Sequence, residues 1–378
     1  MSKRPVRWPA RAGLLLFGLV LGLGLAELLV RIAAPQALSS PLTETVGGLD
    51  LPRPDQQARM RAPGLFDVRM TIGSQRFRAG PDYALQPGPG QRIAVLGDSF
   101  AFGAGVNDDE TYPQALAQAM KQRGRDAEVI NAGIPGVGTG EEALYFREWV
   151  ARFHPAIVVL TVTTNDVEND AARQLFVLRS DDSAIPRSTA ELVAASRRLD
   201  ALRRINSLAP FRFLSEHSEL YSLLRQTISS QMRRGRGQAL DGVASSRAPA
   251  DAARLTAGEL GWLDQQVASR GGRLFVVFFP SLPVVHPERY VAGAAFRKTE
   301  QEVAASLARS CARRNIPFAD MTAPMQVEAK RTRALLYYVG VDEHPNAAGY
   351  RTFGRLVADF LVEDEGTPPG ADVKSRGK

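Results

Sequence analysis

The chain is poor in cysteine, lysine and histidine. Its single cysteine, Cys311, excludes an internal disulfide and any cysteine-rich metal centre, and leaves the redox compartment open. Six of the 47 basic residues are lysine (3, 121, 298, 330, 374 and 378), and none lies near the glycine-rich turn at 97–105. A phosphate loop needs Gly-Lys-Ser/Thr there, so that function class is excluded. Gly97, Gly103 and Gly105 also miss the G-x-G-x-x-G spacing of a dinucleotide-binding turn. The net charge of +7 comes from arginine in an Arg/Ala-rich composition and implies no nucleic-acid partner. Internal repeats are absent. With 378 residues, 44% of them hydrophobic, the chain builds a sizeable core in one large domain with additions, or in two domains.

What the N-terminus does have is a long apolar run. Lys3, Arg4, Arg7 and Arg11 precede an uncharged stretch from Ala12 to Ala26, which Glu27 interrupts before Leu28, Leu29 and Val30 extend it. Counted through to Val30, the run approaches the ~20 residues of a membrane-spanning helix. The basic flank places the N-terminus in the cytoplasm and the bulk of the chain outside it. A cleaved signal peptide is the rival reading, since Ala33-Ala34-Pro35-Gln36-Ala37 offers small residues. No small-x-small site follows the run directly, which favours an uncleaved anchor over 1–34.

Residues 35–90, rich in Pro, Gly and polar side chains, read as a tether leading into the folded unit. From Gln91 the texture changes. Short apolar runs at Ile93–Leu96, Val129–Ile130, Ile157–Val162, Leu274–Phe279 and Ile316–Phe318 predict strands. Helical spacing predicts helices over Tyr112–Arg123, Glu141–Phe153, Ala257–Ser269, Ala294–Arg313 and Asn346–Val362. Strand and helix in alternation imply an α/β protein with a parallel sheet covered on both faces. The alternation breaks over 167–255, a helical insertion with amphipathic patterns at Leu192–Ile205 and Glu219–Met232. From Arg187 to Arg236 it holds ten arginines against four acids. It reads as a solvated helical lid, or as a surface for anionic lipid headgroups or acidic polysaccharide. The tail 364–378 reads as disordered.

The chemistry starts at Val95–Val106, VLGDSFAFGAGV, where a lone serine closes a strand among residues too small to shield it. With phosphate binding excluded, Ser99 reads as a nucleophile, which needs a base, a group to orient it, and donors for an oxyanion. Only four histidines compete for the role of base. His154 reads as a helix C-terminal residue, His217 lies in the basic insertion, and His286 follows the fourth predicted strand, where it can line a site mouth. His344 stands after the last predicted strand and before the last helix, at the carboxyl edge where functional loops collect. Asp342, two residues earlier, can fix the imidazole tautomer. The alternative for 342–346 is a plain polar turn capping a helix. Loops after the second and third strands supply Gly136 and Asn165, which with the Ser99 N–H can serve one oxyanion.

Gly97-Asp98-Ser99-Phe100, Asn131–Gly136, Thr164-Asn165-Asp166 and Asp342-Glu343-His344-Pro345-Asn346 resemble, in order, the four blocks of the SGNH (GDSL-type) hydrolase family. The resemblance runs from about Gln91 to Val362. It implies a flavodoxin-like three-layer α/β/α sandwich with a five-stranded parallel sheet in order 2-1-3-4-5, and ester chemistry without metal or other cofactor. Ser99 matches the nucleophile, Gly136 and Asn165 the oxyanion donors, and Asp342 and His344 the acid and base. Two departures stand out: Thr163 occupies a position usually held by glycine, and Asp-x-His replaces the usual Asp-x-x-His. Ser74–Arg78 with Tyr83 resembles a segment of membrane-anchored bacterial members, which brings Arg76 or Arg78 near the substrate; the alternative is a surface loop. Phe100 and Phe102 line an acyl pocket or belong to the core beneath the loop.

The resemblance implies three functions. The first is an extracytoplasmic hydrolase of O-acyl esters of a carbohydrate or lipid, single-pass in a bacterial inner membrane with its catalytic domain periplasmic. The second is an O-acyltransferase acting on a cell-surface polysaccharide beside a membrane-bound acyltransferase partner. The third is a non-catalytic scaffold, against which the intact Ser99, Asn165 and His344 argue. Hydrolysis is the commonest of these outcomes.

Overall fold

The computed structural model describes residues 8–194, 205, 208–228, 249–289 and 294–365. Helix α1 (Trp8–Ala33) stands first, its segment Arg11–Ala33 long and apolar enough to cross a membrane. The central sheet takes its strands from five places: β6 (Gln91–Gly97), β7 (Ala127–Gly133), β8 (Ile157–Val162), β11 (Arg273–Phe278) and β12 (Phe318–Asp320). All pair in parallel, in the spatial order β7-β6-β8-β11-β12. That is the expected 2-1-3-4-5 arrangement.

These strands are apolar runs rather than alternating ones because both faces are buried. Ala94, Leu96, Val158, Leu160, Leu274 and Val276 face one way. They meet α4 (Thr139–Tyr145), α7 (Pro249–Ala268) and α9 (Ala294–Arg313), the one-turn α8 (Leu282–Val285) lying between the last two in the chain. Ile93, Val95, Ile157, Val159, Phe275 and Val277 face the other way. There they meet α3 (Tyr112–Gln122), α10 (Thr322–Thr332) and α11 (Ala347–Glu365). Each fully buried side chain of this size contributes about 1.5–3 kcal/mol. Where α11 crosses α3, Gly354 is required, since a Cβ would come within 2.7 Å of both Ala115 Cβ and Tyr112 O.

Two readings of the sequence are corrected. The stretch read as a tether is folded: β1 (Leu38–Ser39), β4 (Gln56–Ala62) and β5 (Phe66–Ile72) form one antiparallel sheet. Strands β2 (Thr43–Val46) and β3 (Leu49–Pro52) form a hairpin turning at Gly47-Gly48, both with positive φ, as a type I′ turn demands. Ala58, Met70 and Ile72 pack on Phe102, so this N-terminal unit rests against the loop that follows Ser99. The last sheet strand begins at Phe318 rather than Ile316. Pro317 has no N–H to give a ladder and only its carbonyl is used, by Val276 N at 2.9 Å.

The insertion opens with α5 (Thr164–Arg173) and an antiparallel ribbon of β9 (Phe176–Leu178) and β10 (Ala184–Pro186). It continues through α6 (Ala209–His217) and a helix over 219–228. The predicted helix Leu192–Ile205 falls largely, and the end of Glu219–Met232 wholly, outside the described residues. Asp364 and Glu365 belong to α11, and the rest of the tail lies outside the described residues.

Candidate active site

β6 ends at Gly97 and the chain turns at once into the one-turn helix α2 (Ser99–Phe102). The turn needs glycine twice. Gly97 sits at φ 145° with Thr161 O 2.9 Å from where a Cβ would stand, and a Cβ on its ladder partner Gly133 would lie 2.2 Å from Phe102 N. Asp98 caps the helix, its Oδ1 accepting from Phe100 N at 2.8 Å. Ser99 is thereby lifted to the carboxyl edge of the sheet, half-buried, with its N–H at the first position of a helix.

His344 reaches it from the loop before α11. Its Nε2 lies 2.9 Å from Ser99 Oγ and its Nδ1 2.9 Å from Asp342 Oδ1. Asp342 also accepts the His344 backbone N–H at 2.9 Å, a contact that the short Asp-x-His spacing permits. An ionised carboxylate only accepts, so Nδ1 carries the ring hydrogen and Nε2 is the acceptor facing Ser99. Burial alone would push the Asp342 carboxyl up, but the ring bond to His344, its charge and its backbone N–H together hold it below the usual range. For His344, burial favours the neutral ring, yet the bond to Asp342 and its charge carry the imidazole above its ordinary value. Such an arrangement can accept a proton from a serine hydroxyl.

The residues matched to oxyanion donors follow three adjacent strands. Ser99 follows β6, Gly136 follows β7 and Asn165 follows β8, strands spaced about 4.8 Å apart. Among the described residues, neither Ser99 N–H nor Gly136 N–H is taken by a protein acceptor. Gly136 is exposed at φ 77°. Asn165 donates one carboxamide hydrogen to Asp98 Oδ2 at 2.7 Å, and its second has no protein acceptor among the described residues.

Thr163 is the hub that its departure from glycine created. Its Oγ1 lies 3.2 Å from Asp98 Oδ2 and 2.9 Å from Asp166 Oδ2, and it also bonds Asn165 Oδ1. Asp98, fully buried, is pushed up by that burial, offset by Phe100 N–H, Asn165 and the neighbouring His344. Beside it runs a row of buried acids. Glu142 is pushed well up, first by burial and then by the Asp166 charge; Asp166 is pushed well up by burial and then by Asp98. Neither carboxyl oxygen of Glu142 has a hydrogen-bond partner among the described residues.

Other candidates fall in different places. Phe100 is half-buried beside the base, its ring centroid 5.4 Å from that of His344 and 5.1 Å from Phe279. Phe102 is buried core under Arg78, which stands 4.7 Å from its ring centroid. Arg76 turns instead to Glu44, at 2.8 Å, and Pro52 O, at 2.7 Å. His286 is buried, with Nε2 accepting from Leu336 N at 3.1 Å and Nδ1 3.4 Å from Glu288; none of its contacts is with Ser99, His344 or Asp342. His154 is the left-handed cap at the end of a short helix, as its sequence position suggested, and His217 ends α6 within the insertion.

Arg78 is the residue that sequence reasoning undervalued. Fully buried, it donates to Phe102 O at 2.9 Å and Val106 O at 2.6 Å, bonds Gly103 O, and pairs with Asp108 at 3.2 Å. With Tyr350 on Ala104 O and Tyr338 on Gly105 O, it holds the loop behind Ser99. Asp98, Thr163 and Asp166 likewise stood inside recognised blocks without a role; burial, invisible in the sequence, is what distinguishes them.

The family model of the GDSL-like lipase/acylhydrolase family matches residues 95–352, which hold Ser99, Gly136, Asn165, Asp342 and His344. An arylesterase of Vibrio mimicus is 29% identical over 76 residues, 20% of this chain, and the match spans 38% of that relative. An acetylxylan esterase variant from Geobacillus stearothermophilus is similar in structure over 73% of this chain and 95% of its own, at 14% identity and a TM-score of 0.40. The native aryl esterase of M. smegmatis is similar over 72% of this chain and 99% of its own, at 17% identity and a TM-score of 0.40. The family match covers two thirds of the chain and contains both the serine turn and the His344 loop, and on that match the chain belongs to the GDSL-like lipase/acylhydrolase family.

Proposed function

We propose that this chain is an ester hydrolase working outside the cytoplasm through a serine-bound acyl intermediate. The observation that carries the reading is the pair of 2.9 Å contacts running from Ser99 Oγ through the His344 ring to Asp342. Ser99 Oγ attacks an acyl carbonyl as its proton passes to His344 Nε2. The carbonyl electron pair moves onto oxygen, where Ser99 N–H, Gly136 N–H and the free hydrogen of Asn165 receive it. Collapse expels the alcohol, which takes the proton from His344. Water then yields a proton to His344, attacks the acyl carbon and releases the carboxylic acid as Ser99 recovers its proton. Asp342 stays ionised and stabilises each imidazolium.

The substrate class is an O-acyl ester, acetyl first, of a carbohydrate or lipid, with Phe100 as an apolar wall beside the base. In this reading α1 crosses the bacterial inner membrane once. Its basic flank lies inside, and the folded unit stands on the periplasmic side. The test is p-nitrophenyl acetate turnover by the full-length protein and its Ser99→Ala and His344→Ala variants, with and without an oligosaccharide acceptor, products identified by mass spectrometry. Serine-dependent acetate release at an unchanged rate supports the hydrolase. Acylated oligosaccharide at the expense of acetate replaces it with an O-acyltransferase. No serine-dependent release from any short acyl ester replaces it with a scaffold.

A further inference from the structure

Glu27, the charge that interrupts the apolar run, is fully engaged. Its carboxylate accepts from Ser218 Oγ at 2.7 Å, Glu219 N at 2.9 Å, Leu220 N at 3.0 Å and Arg31 Nε at 2.8 Å. It therefore caps the helix over 219–228, while Arg31 Nη2 donates to His217 O at 2.7 Å, the last carbonyl end of α6. An anion meets a helix N-terminus and a cation meets a helix C-terminus, the favourable pairing with each macrodipole. Gln36 N on Glu219, at 3.0 Å, and Ser222 Oγ on Ala37 O, at 2.9 Å, make a second tie. The two insertion helices are thus docked on α1 itself.

Depth follows from the helix rise. Sixteen residues separate Arg11 from Glu27, about 24 Å at 1.5 Å each. A hydrocarbon core is about 30 Å thick. With Arg11 at the inner boundary, Glu27 lies about 6 Å inside the outer one, and so does the helix junction that caps it. The surface beside Glu27 is apolar: Phe213 and Leu224 are exposed and line one cleft with Leu23 of α1, and Leu208 and Ile228 are exposed at the far ends of the two insertion helices. That cleft, of about 390 Å³ between Leu23, Leu214, Leu220, Tyr221 and Leu224, opens on the same side. Arg212, exposed, sits one residue from Phe213 and pairs with Glu216 at 3.4 Å.

Resting on the reading that α1 spans the membrane, we infer that the helix pair 208–228 is embedded in the outer leaflet of that membrane, with phospholipid acyl chains against Phe213, Leu224 and Ile228. The insertion is then not a lid in water but a second membrane contact that fixes the folded unit on its anchor.

The test uses the full chain in phosphatidylcholine/phosphatidylglycerol vesicles, labelled with an environment-sensitive thiol dye at Phe213→Cys, Leu224→Cys, Leu19→Cys or Val177→Cys. Cys311 is buried and its thiol is pushed up to about 12, so it stays silent. Lipids carrying a nitroxide high on the acyl chain should quench Phe213→Cys and Leu224→Cys at least about two-fold more than Val177→Cys, an exposed position on β9; a nitroxide deep in the chain should quench Leu19→Cys. Glu27→Ala should bring the Phe213→Cys signal down to the Val177→Cys level. Quenching at Leu19→Cys with none at 213 and 224 overturns this inference alone. No quenching at Leu19→Cys overturns the spanning reading and the inference with it. Cross-linking between 213 sites in place of lipid quenching assigns the face to a second copy and overturns it too.

Discussion

Two carboxylates in this molecule do the same local work in opposite ways. Asp98 caps α2 from the residue before it, accepting from Phe100 N, whereas Glu27 caps the helix over 219–228 from nearly two hundred residues away. The first is written into a contiguous motif, and the groups that bond it, Phe100 N, Thr163 and Asn165, follow two adjacent strands. The second leaves no motif, only an anomaly: one acid in an apolar run. Local capping builds a site for chemistry; long-range capping joins two parts of the molecule that the sequence shows as separate.

The largest expected effect separates the two regions outright. Ser99→Ala should lower kcat for p-nitrophenyl acetate by about 10⁴ or more. Its melting temperature should stay at the parent value. Glu27→Ala should do the reverse, leaving that kcat within a factor of about two while the loss of a cap costs about 1 kcal/mol. That loss is measurable as faster hydrogen exchange over 219–228. A large fall in turnover from Glu27→Ala would break the comparison.

Asn165→Ala tests the smaller contribution of an oxyanion donor. An expected fall of about 10²–10³ in kcat, with KM little changed, distinguishes it from a substrate-binding residue. Thr163→Gly should fall between this variant and the parent, because it loosens the Asp98–Asn165 contact without removing the donor.

The pH profile sharpens the account of the base. In the proposed mechanism the reaction needs neutral His344, whose pKa is raised above 6.5, so kcat/KM should climb with pH through a midpoint above 6.5. Asp342→Asn removes the bond and charge that raise it, so its midpoint should fall below the parent's along with its rate. A midpoint unmoved by Asp342→Asn would detach that residue from the base.

Stability carries the smallest expected effect. Glu142 has no hydrogen-bond partner among the described residues and its pKa is raised well above 4.5. Its neutral form is the comfortable one, so its contribution is fully present below about pH 4.5 and is lost as pH rises through the raised folded value. Glu142→Gln should therefore raise Tm at pH 8 by a few degrees, about 2–4 °C for each kcal/mol recovered, and change it little at pH 4. Equal shifts at both values would show that Glu142 does not titrate with folding.

The parallel sheet was legible because buried strands are apolar throughout, and Ala294–Arg313 was legible to the residue because its period is unbroken. The candidate site was legible where a polar residue ended such a strand. The N-terminal strands were missed for a physical reason: β5 alternates as Asp67-Val68-Arg69-Met70-Thr71-Ile72, with its outward positions charged or polar, and the average hides the period. The Gly47-Gly48 turn was a hairpin signal between two four-residue strands. Thr163, Arg78 and Glu27 show a harder limit, since what they do depends on partners that only the folded chain supplies.

Only residues 34–37 separate α1 from β1, enough chain for at most about 14 Å when fully extended, and Gln36 and Ala37 are held in place. There is no leash. With α1 in a membrane, as proposed, a serine mounted on so short a mast keeps one height above the bilayer and sweeps a thin slab parallel to it. An ester carried in the membrane meets that slab by lateral diffusion in two dimensions, whereas an ester on a free polymer has to descend to it.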